Sequence, residues 1–272
     1  MSAKKEERVQ NALLIRQPIL CSTSNFVVKI ADSLHEIEDA LRLRFEVFNL
    51  ELHEGLQSSF ESGFDSDVYD TFCDHLIVKE IATNKVVGTY RLLPQEKAEK
   101  HIGFYSENEF DLSKFKKLPG QSLELGRSCV AKEYRSLAVI NLLWSGIAKY
   151  LEMHSIANLF GCASFHTNNV TEIAAAYAYF QLYHFAPEEY RVAPLDICSM
   201  SLLFQLLTSE DIEKAYRKFP PLMKGYLRLG AMICGEPAYD KEFGTTDFLI
   251  VVDTQKITEK YKNHYHSSAK AS

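Results

Sequence analysis

The first short apolar run, FVVKI at residues 26–30, reads as a β-strand. Asp32 or Ser33 can then cap a helix in which Leu34, Ile37, Leu41, Phe45 and Phe48 form an apolar stripe. An acidic loop, GFDSDVYD, separates that helix from two strands, 75–79 and 85–93, whose turn residues Thr83 and Asn84 predict a hairpin. After a polar loop from Pro94 comes a strand at 122–130, an apolar-periodic helix at 136–154 containing Trp144, and a strand at 159–165. Asn168 or Asn169 opens the next helix. A helix at 209–218, the segment PPLMKGYLRLGA and a last strand at 248–253 complete the pattern. This alternation predicts an α/β (α+β) layer structure in one domain spanning 21–260, with mobile tails at 1–20 and 261–272.

The 272 residues are 46% hydrophobic, enough for a sizeable core, and the formal net charge of −6 argues against general nucleic-acid binding. Six cysteines stand singly, without C-x-x-C spacing, as reduced thiols in a cytoplasmic protein would. The N-terminus, MSAKKEERVQ, lacks the apolar segment of a secretory signal, and no apolar stretch approaches the ~20 residues of a spanning helix. The histidines show no ligand spacing, so no metal is expected.

Most of the chemistry points to the strand LELGRSCV, where Glu124 and Arg127 stand three residues apart in an apolar run. Regular pleating sends residues at odd separation to opposite faces. The two can therefore share a site only if the strand bulges between them, which Gly126 would permit. Catalysis by Glu124 and a plain ion pair with Arg127 remain alternative readings of the same residues.

The strings FDSDVYDTFCDHL, VVGTYRLL, GFYSENEFDL, LELGRSCV, LFGCASF, APEEYRV, PPLMKGYLRLGA and FGTTDFLIV occur in this order. Together they resemble the bacterial ornithine Nα-acyltransferases of ornithine lipid synthesis, a branch of the GNAT superfamily similar in its first half to the acyl-homoserine lactone synthases. The resemblance implies a GNAT-like three-layer fold, with a central mixed, mostly antiparallel sheet flanked by helices. It also implies transfer of a 3-hydroxyacyl chain from acyl carrier protein to the α-amino group of L-ornithine, giving lyso-ornithine lipid, with no metal or organic cofactor.

The residue types suit that reaction. An α-amino group with a pKa of about 8 must lose a proton before it attacks a thioester, and Glu124 is the candidate base, directly or through water. Arg44, Arg91 and Arg127 are candidates for the substrate carboxylate. Asp67, Asp70 and Asp74 are candidates for its ammonium, and pairing of Asp67 and Asp70 with those same arginines is the structural alternative. Direct attack leaves Cys129 without a nucleophilic role, and His75 is expected to orient the acidic loop. The donor side would comprise Gly126, Ser128, Val130, Lys132 and Arg135. The turn at 131–139 has no glycine with which to cradle a pyrophosphate, which favours a carrier protein over coenzyme A. A basic set, Lys214, Arg217, Lys218, Lys224 and Arg228, can meet carrier protein or the cytoplasmic face of the inner membrane as a peripheral contact. Trp144, Tyr177 and Phe180 are expected in the core. The alternatives are an N-acyltransferase of the same mechanism for another amino acid or amine, and a non-catalytic module that binds acyl carrier protein.

Overall fold

The computed structural model of the chain describes residues 19–135, 137–254 and 257, with the side chains at 137 and 253 excepted. The tails expected at 1–20 and 261–272 lie outside the described residues, except for the last two positions of the first. Those two open strand β1 (Ile19–Ser22), which pairs antiparallel with β2 (Phe26–Ile30). Pairing with a neighbour, which no local pattern announces, makes a strand of this stretch.

Nine strands form a mixed sheet, and the chain divides into two compact units. Of the described residues, the first holds those up to Leu92 together with those in Arg127–Tyr150; the second holds Leu93–Gly126 and those from Leu151 onward. In the first unit β2 pairs antiparallel with β3 (Asp74–Glu80), and β3 with β4 (Val86–Pro94), with Asn84 in the left-handed region (φ 59°) at the turn of the expected hairpin. Helix α1 (Leu34–Arg44) is capped by the Ser33 hydroxyl, which accepts the Glu36 N–H, and continues as a π-helical segment, Phe45–Glu51.

The buried face is only partly the predicted stripe: Ile37 and, beyond the end of α1, Phe48 pack against the core. Leu34 is exposed, whereas Glu36, Ala40, Leu43 and Arg44 are buried. Two charges are tolerated inside because each is matched: Lys79 and Lys29 reach Glu36 at 2.8 and 3.0 Å and help hold its carboxyl near 2 against the opposing effect of burial, and Arg44 is satisfied by aspartates described below. Helix α2 (Leu137–His154) places Trp144 in the core beside Tyr90, ring centroids 6.2 Å apart.

In the second unit the first residues of β5 (Gln121–Val130) pair parallel with β6 (Ile156–Phe165), and β6 pairs antiparallel with β9 (Thr245–Asp253). Two short strands, β7 (Met232–Ile233) and β8 (Ala238–Asp240), also pair antiparallel with β9. Helix α3 (Val170–Tyr183), N-capped by Asn169, brings Tyr177 and Phe180 against Phe248, and Phe165 and Phe219 complete this aromatic core. Helices α4 (Ser209–Lys218) and α5 (Pro221–Arg228) follow, the first inside a Thr208–Asp211 capping box. No described helix is long and apolar enough to cross a membrane.

Gly146 on α2 faces Val28 and Leu76, both fully buried, and a Cβ there would meet their methyls at 2.7 and 2.9 Å. Gly146→Val is expected to destabilise the protein by about 1–3 kcal/mol through overpacking, read as a lower urea midpoint. An unchanged midpoint would show that the contact relaxes without cost.

Candidate active site

Strand register places the acidic residues of the second unit before any chemistry is considered. Glu124 on β5 stands opposite Phe160 on β6, and Cys162 follows Phe160 on the same face. Asp247 on β9 stands opposite Ser164, so it is a diagonal neighbour of Cys162, and Asp240 on β8, opposite Thr245, is a diagonal neighbour of Asp247. Glu124, Cys162, Asp247 and Asp240 therefore share one face across four adjacent strands. Three are carboxylates, all buried.

The loop after β4 closes on that face through a helical turn, Tyr105–Asn108. The first N–H groups of such a turn have no partner within it. Here they go to Glu124: the Tyr105 N–H donates to Oε2 at 2.7 Å and the Ser106 N–H to Oε1 at 2.8 Å, and the Ser106 hydroxyl also donates to Oε1. Three of a carboxylate's roughly four acceptor positions are thus used in fixing the group. The Ser106 hydroxyl also lies 3.3 Å from the Cys162 sulfur, which is 3.8 Å from Glu109 Oε2. Asp247 accepts the Thr245 hydroxyl at 3.0 Å. Asp240 accepts the Tyr105 hydroxyl at 3.3 Å and the N–H groups of Glu242 and Phe243.

Glu109, 3% exposed, leaves Oε1 without a hydrogen-bond partner. Burial pushes its carboxyl well above the usual carboxylate range, and the charges of Asp247, Asp240 and Glu124 push the same way. The Cys162 thiol is raised by burial and then by Glu109.

The first unit treats buried charge differently. Arg44, 1% exposed, donates from Nε to Asp65 at 2.7 Å and from Nη1 and Nη2 to Asp70 at 2.7 and 3.1 Å. Arg91 donates from Nη1 to both oxygens of Asp67 at 2.7 and 2.6 Å and packs over the Tyr69 ring. Arg127 approaches Asp65 and Asp67 at 3.6 and 3.9 Å and lies over the Phe48 ring. Asp67 caps the short helix Val68–Thr71, so the loop GFDSDVYD folds to present its carboxylates to the arginines. Burial works to raise the Asp70 carboxyl, but Arg44 and then Arg91 outweigh it and hold the group well below its ordinary value. Pairing among Arg44, Arg91, Asp67 and Asp70, the structural alternative, is thus the arrangement found. Asp74 instead accepts the Tyr150 hydroxyl at 2.7 Å. His75 sits with Nε2 3.3 Å from the Asp70 carbonyl oxygen, and burial lowers its proton affinity, so a neutral ring braces the loop.

Glu124 belongs to the second unit and Arg127 to the first. The strand between them is irregular: Arg127 itself takes φ 49°, in the left-handed region that non-glycine residues rarely enter. The departure falls one residue after Gly126. Among the expected donor residues, Gly126 and Ser128 are half-buried in β5 and Val130 is buried. Lys132 is exposed in the turn Lys132–Tyr134. Arg135 makes a two-pronged pair with Glu51 at 2.5 and 2.6 Å and donates to the Val130 carbonyl. The Cys129 thiol, pushed up to about 12 by burial, suits a structural role.

Asp65, Ser106, Glu109, Cys162, Asp240 and Asp247 were not singled out by sequence reasoning. Five of them lie in the quoted strings FDSDVYDTFCDHL, GFYSENEFDL, LFGCASF and FGTTDFLIV, which was the available signal; Asp240 lies outside them.

Arg44→Met leaves Asp65 and Asp70 with uncompensated buried charge and is expected to cost about 3–5 kcal/mol at pH 7 in denaturant unfolding. Because the folded Asp70 carboxyl is depressed, its stabilisation is complete above the unfolded value of about 4 and disappears as pH falls below it. The gap between wild type and variant should therefore narrow in acid; a gap independent of pH would contradict the pairing.

The family model described as "Acetyltransferase (GNAT) domain" matches residues 43–145. A curated protein named L-ornithine N(alpha)-acyltransferase from Brucella abortus is 39% identical over 265 residues, covering 92% of each chain. One of the same name from Rhizobium meliloti is 37% identical, covering 92% of this chain and 88% of its own. Among solved structures, an N-acyl amino acid synthase from uncultured soil microbes superposes with a TM-score of 0.51 at 9% identity, over 85% of this chain and 92% of that one, a likeness of fold. Identity at this level along nine-tenths of the sequence, on a GNAT-like sheet, places the chain in the L-ornithine N(alpha)-acyltransferase family.

Proposed function

We propose that this protein transfers a 3-hydroxyacyl chain from acyl carrier protein to the α-amino group of L-ornithine, releasing lyso-ornithine lipid. The observation that carries the reading is the 35–39% identity with ornithine acyltransferases over about nine-tenths of the chain. In the reaction the α-ammonium gives up a proton, the neutral amine attacks the thioester carbonyl, and the tetrahedral adduct collapses to an amide with expulsion of the thiolate. The thiolate is reprotonated as the free carrier thiol. Glu124, immobilised by Tyr105 and Ser106, is the group that accepts the amine proton, directly or through one water. No covalent enzyme intermediate is needed.

For the donor, the turn after β5 supports a carrier protein: it offers exposed Lys132 and the exchangeable Arg135–Glu51 surface pair to a single phosphate and an acidic partner. The product is a lipid, and the reading includes work in the cytoplasm with peripheral contact to the membrane. The exposed cations Lys214, Arg217, Lys218 and Arg228, with half-buried Lys224, are the proposed surface for that contact.

The test is a panel of amino acids offered with one acylated carrier protein, products read by mass spectrometry. Ornithine should be acylated in preference to all others; product from another amine with none from ornithine would overturn the substrate. Glu124→Gln should still bind the acylated carrier while turnover falls by about 100-fold or more. Unchanged turnover would remove Glu124 from proton transfer.

A further inference from the structure

Beyond the base, the second unit holds a set of groups that the acyl transfer just described leaves unused. The ligating atoms of Glu109, Cys162 and Asp247 lie within 4.8 Å of one another, under cover, on the sheet face that also carries Glu124. Acidic residues gathered in one place do not by themselves make a site. The separate observation is that Glu109, almost wholly buried, keeps one carboxyl oxygen with no hydrogen-bond partner. A buried acceptor in that state costs free energy unless a ligand supplies the donor.

We propose that Glu109, Asp247 and Cys162 form the subsite for the side-chain ammonium of the amino acid substrate, and so select a diamino acid; this rests on the ornithine reading above. The three groups offer acceptors within reach of one ammonium, with the Cys162 sulfur 3.8 Å from Glu109 Oε2. Connectivity favours a diamine. Ser106 touches both Glu124 and Cys162, so the proton acceptor for the α-amine and the subsite are neighbours joined by one hydroxyl, as the two ends of a short diamine require.

The site also has a pH signature. Glu109 faces Asp247 on β9, Asp240 on β8, Glu124 on β5 and the Cys162 thiol on β6, and burial followed by these carboxylates holds its proton on. An arriving ammonium replaces that proton. The advantage of ornithine should therefore fade as pH falls, since Glu109 must ionise to bind the cation.

The experiment compares ornithine with norvaline, the same skeleton without the side-chain amine, as kcat/KM ratios in wild type, Glu109→Gln and Asp247→Asn. Thermal melting serves as the check on folding. Wild type should prefer ornithine by at least 100-fold, with a preference that shrinks as pH is lowered. In both variants the ratio should drop at least tenfold, mainly through the KM for ornithine, and in Glu109→Gln it should lose its pH dependence. If a variant does not fold, Cys162→Ala, in which the ratio should also fall, and the wild-type ratio against pH carry the test. A preference unchanged in folded variants, or a wild-type ratio flat with pH, would overturn the subsite while leaving ornithine acylation standing. Failure of wild type to acylate ornithine at all would overturn both. Loss of ornithine turnover on chelation, restored by zinc, would mean that the cluster holds a metal instead.

Discussion

The covering of one acidic sheet face is the constraint on which the candidate site depends. Strand register alone puts Glu124, Cys162, Asp247 and Asp240 on the same side of β5, β6, β9 and β8, and the loop after β4 adds Glu109 above them. Carboxylates brought together under cover repel, and each loses hydration. The structure answers residue by residue. Glu124 is held by two backbone N–H groups and a hydroxyl, Asp240 by two backbone N–H groups and a phenol, and Asp247 by a hydroxyl. Glu109 receives no such donor at Oε1, and burial with the neighbouring carboxylates pushes its carboxyl well above the usual carboxylate range.

The first unit meets the same desolvation cost by pairing. Arg44, Arg91 and Arg127 face Asp65, Asp67 and Asp70, three cations and three anions, with Arg44 and Arg91 at hydrogen-bond distance. Such a set is intolerant of losing a member, because the charge left behind has no solvent to turn to. The acidic loop folds onto these arginines with His75 beside the Asp70 carbonyl, and Arg127 itself stands at φ 49° in β5. Arg44 and Arg91 are buried and hydrogen-bonded to their aspartates, whereas Arg127 is half-buried and stands off at 3.6–3.9 Å.

Much of this was readable from local pattern. The hairpin, the capped helices at Ser33 and Asn169, the helix at 209–218, and the strand carrying Glu124 follow from short-range periodicity and turn chemistry. The burial of Glu36 and Arg44 was not readable, because it is matched by Lys79, Asp65 and Asp70, which are distant in sequence, and by Lys29 on a neighbouring strand. Cys162 and Asp247 escaped notice for a similar reason. A lone cysteine and a lone aspartate in apolar strands carry no spacing signal, and only the order and register of β6 and β9 make them neighbours.

On the proposed reading, the second unit would distinguish the two amines of one substrate: a fixed carboxylate to deprotonate the amine that reacts, and the Glu109 cluster to hold the amine that does not. The position of the acyl group in the product tests that division most directly, by fragmentation mass spectrometry of the lipid formed from ornithine and acylated carrier protein. The expected product is an amide on the α-nitrogen with the δ-amine free. Acylation at the δ-nitrogen, or a mixture of both amides, would contradict it.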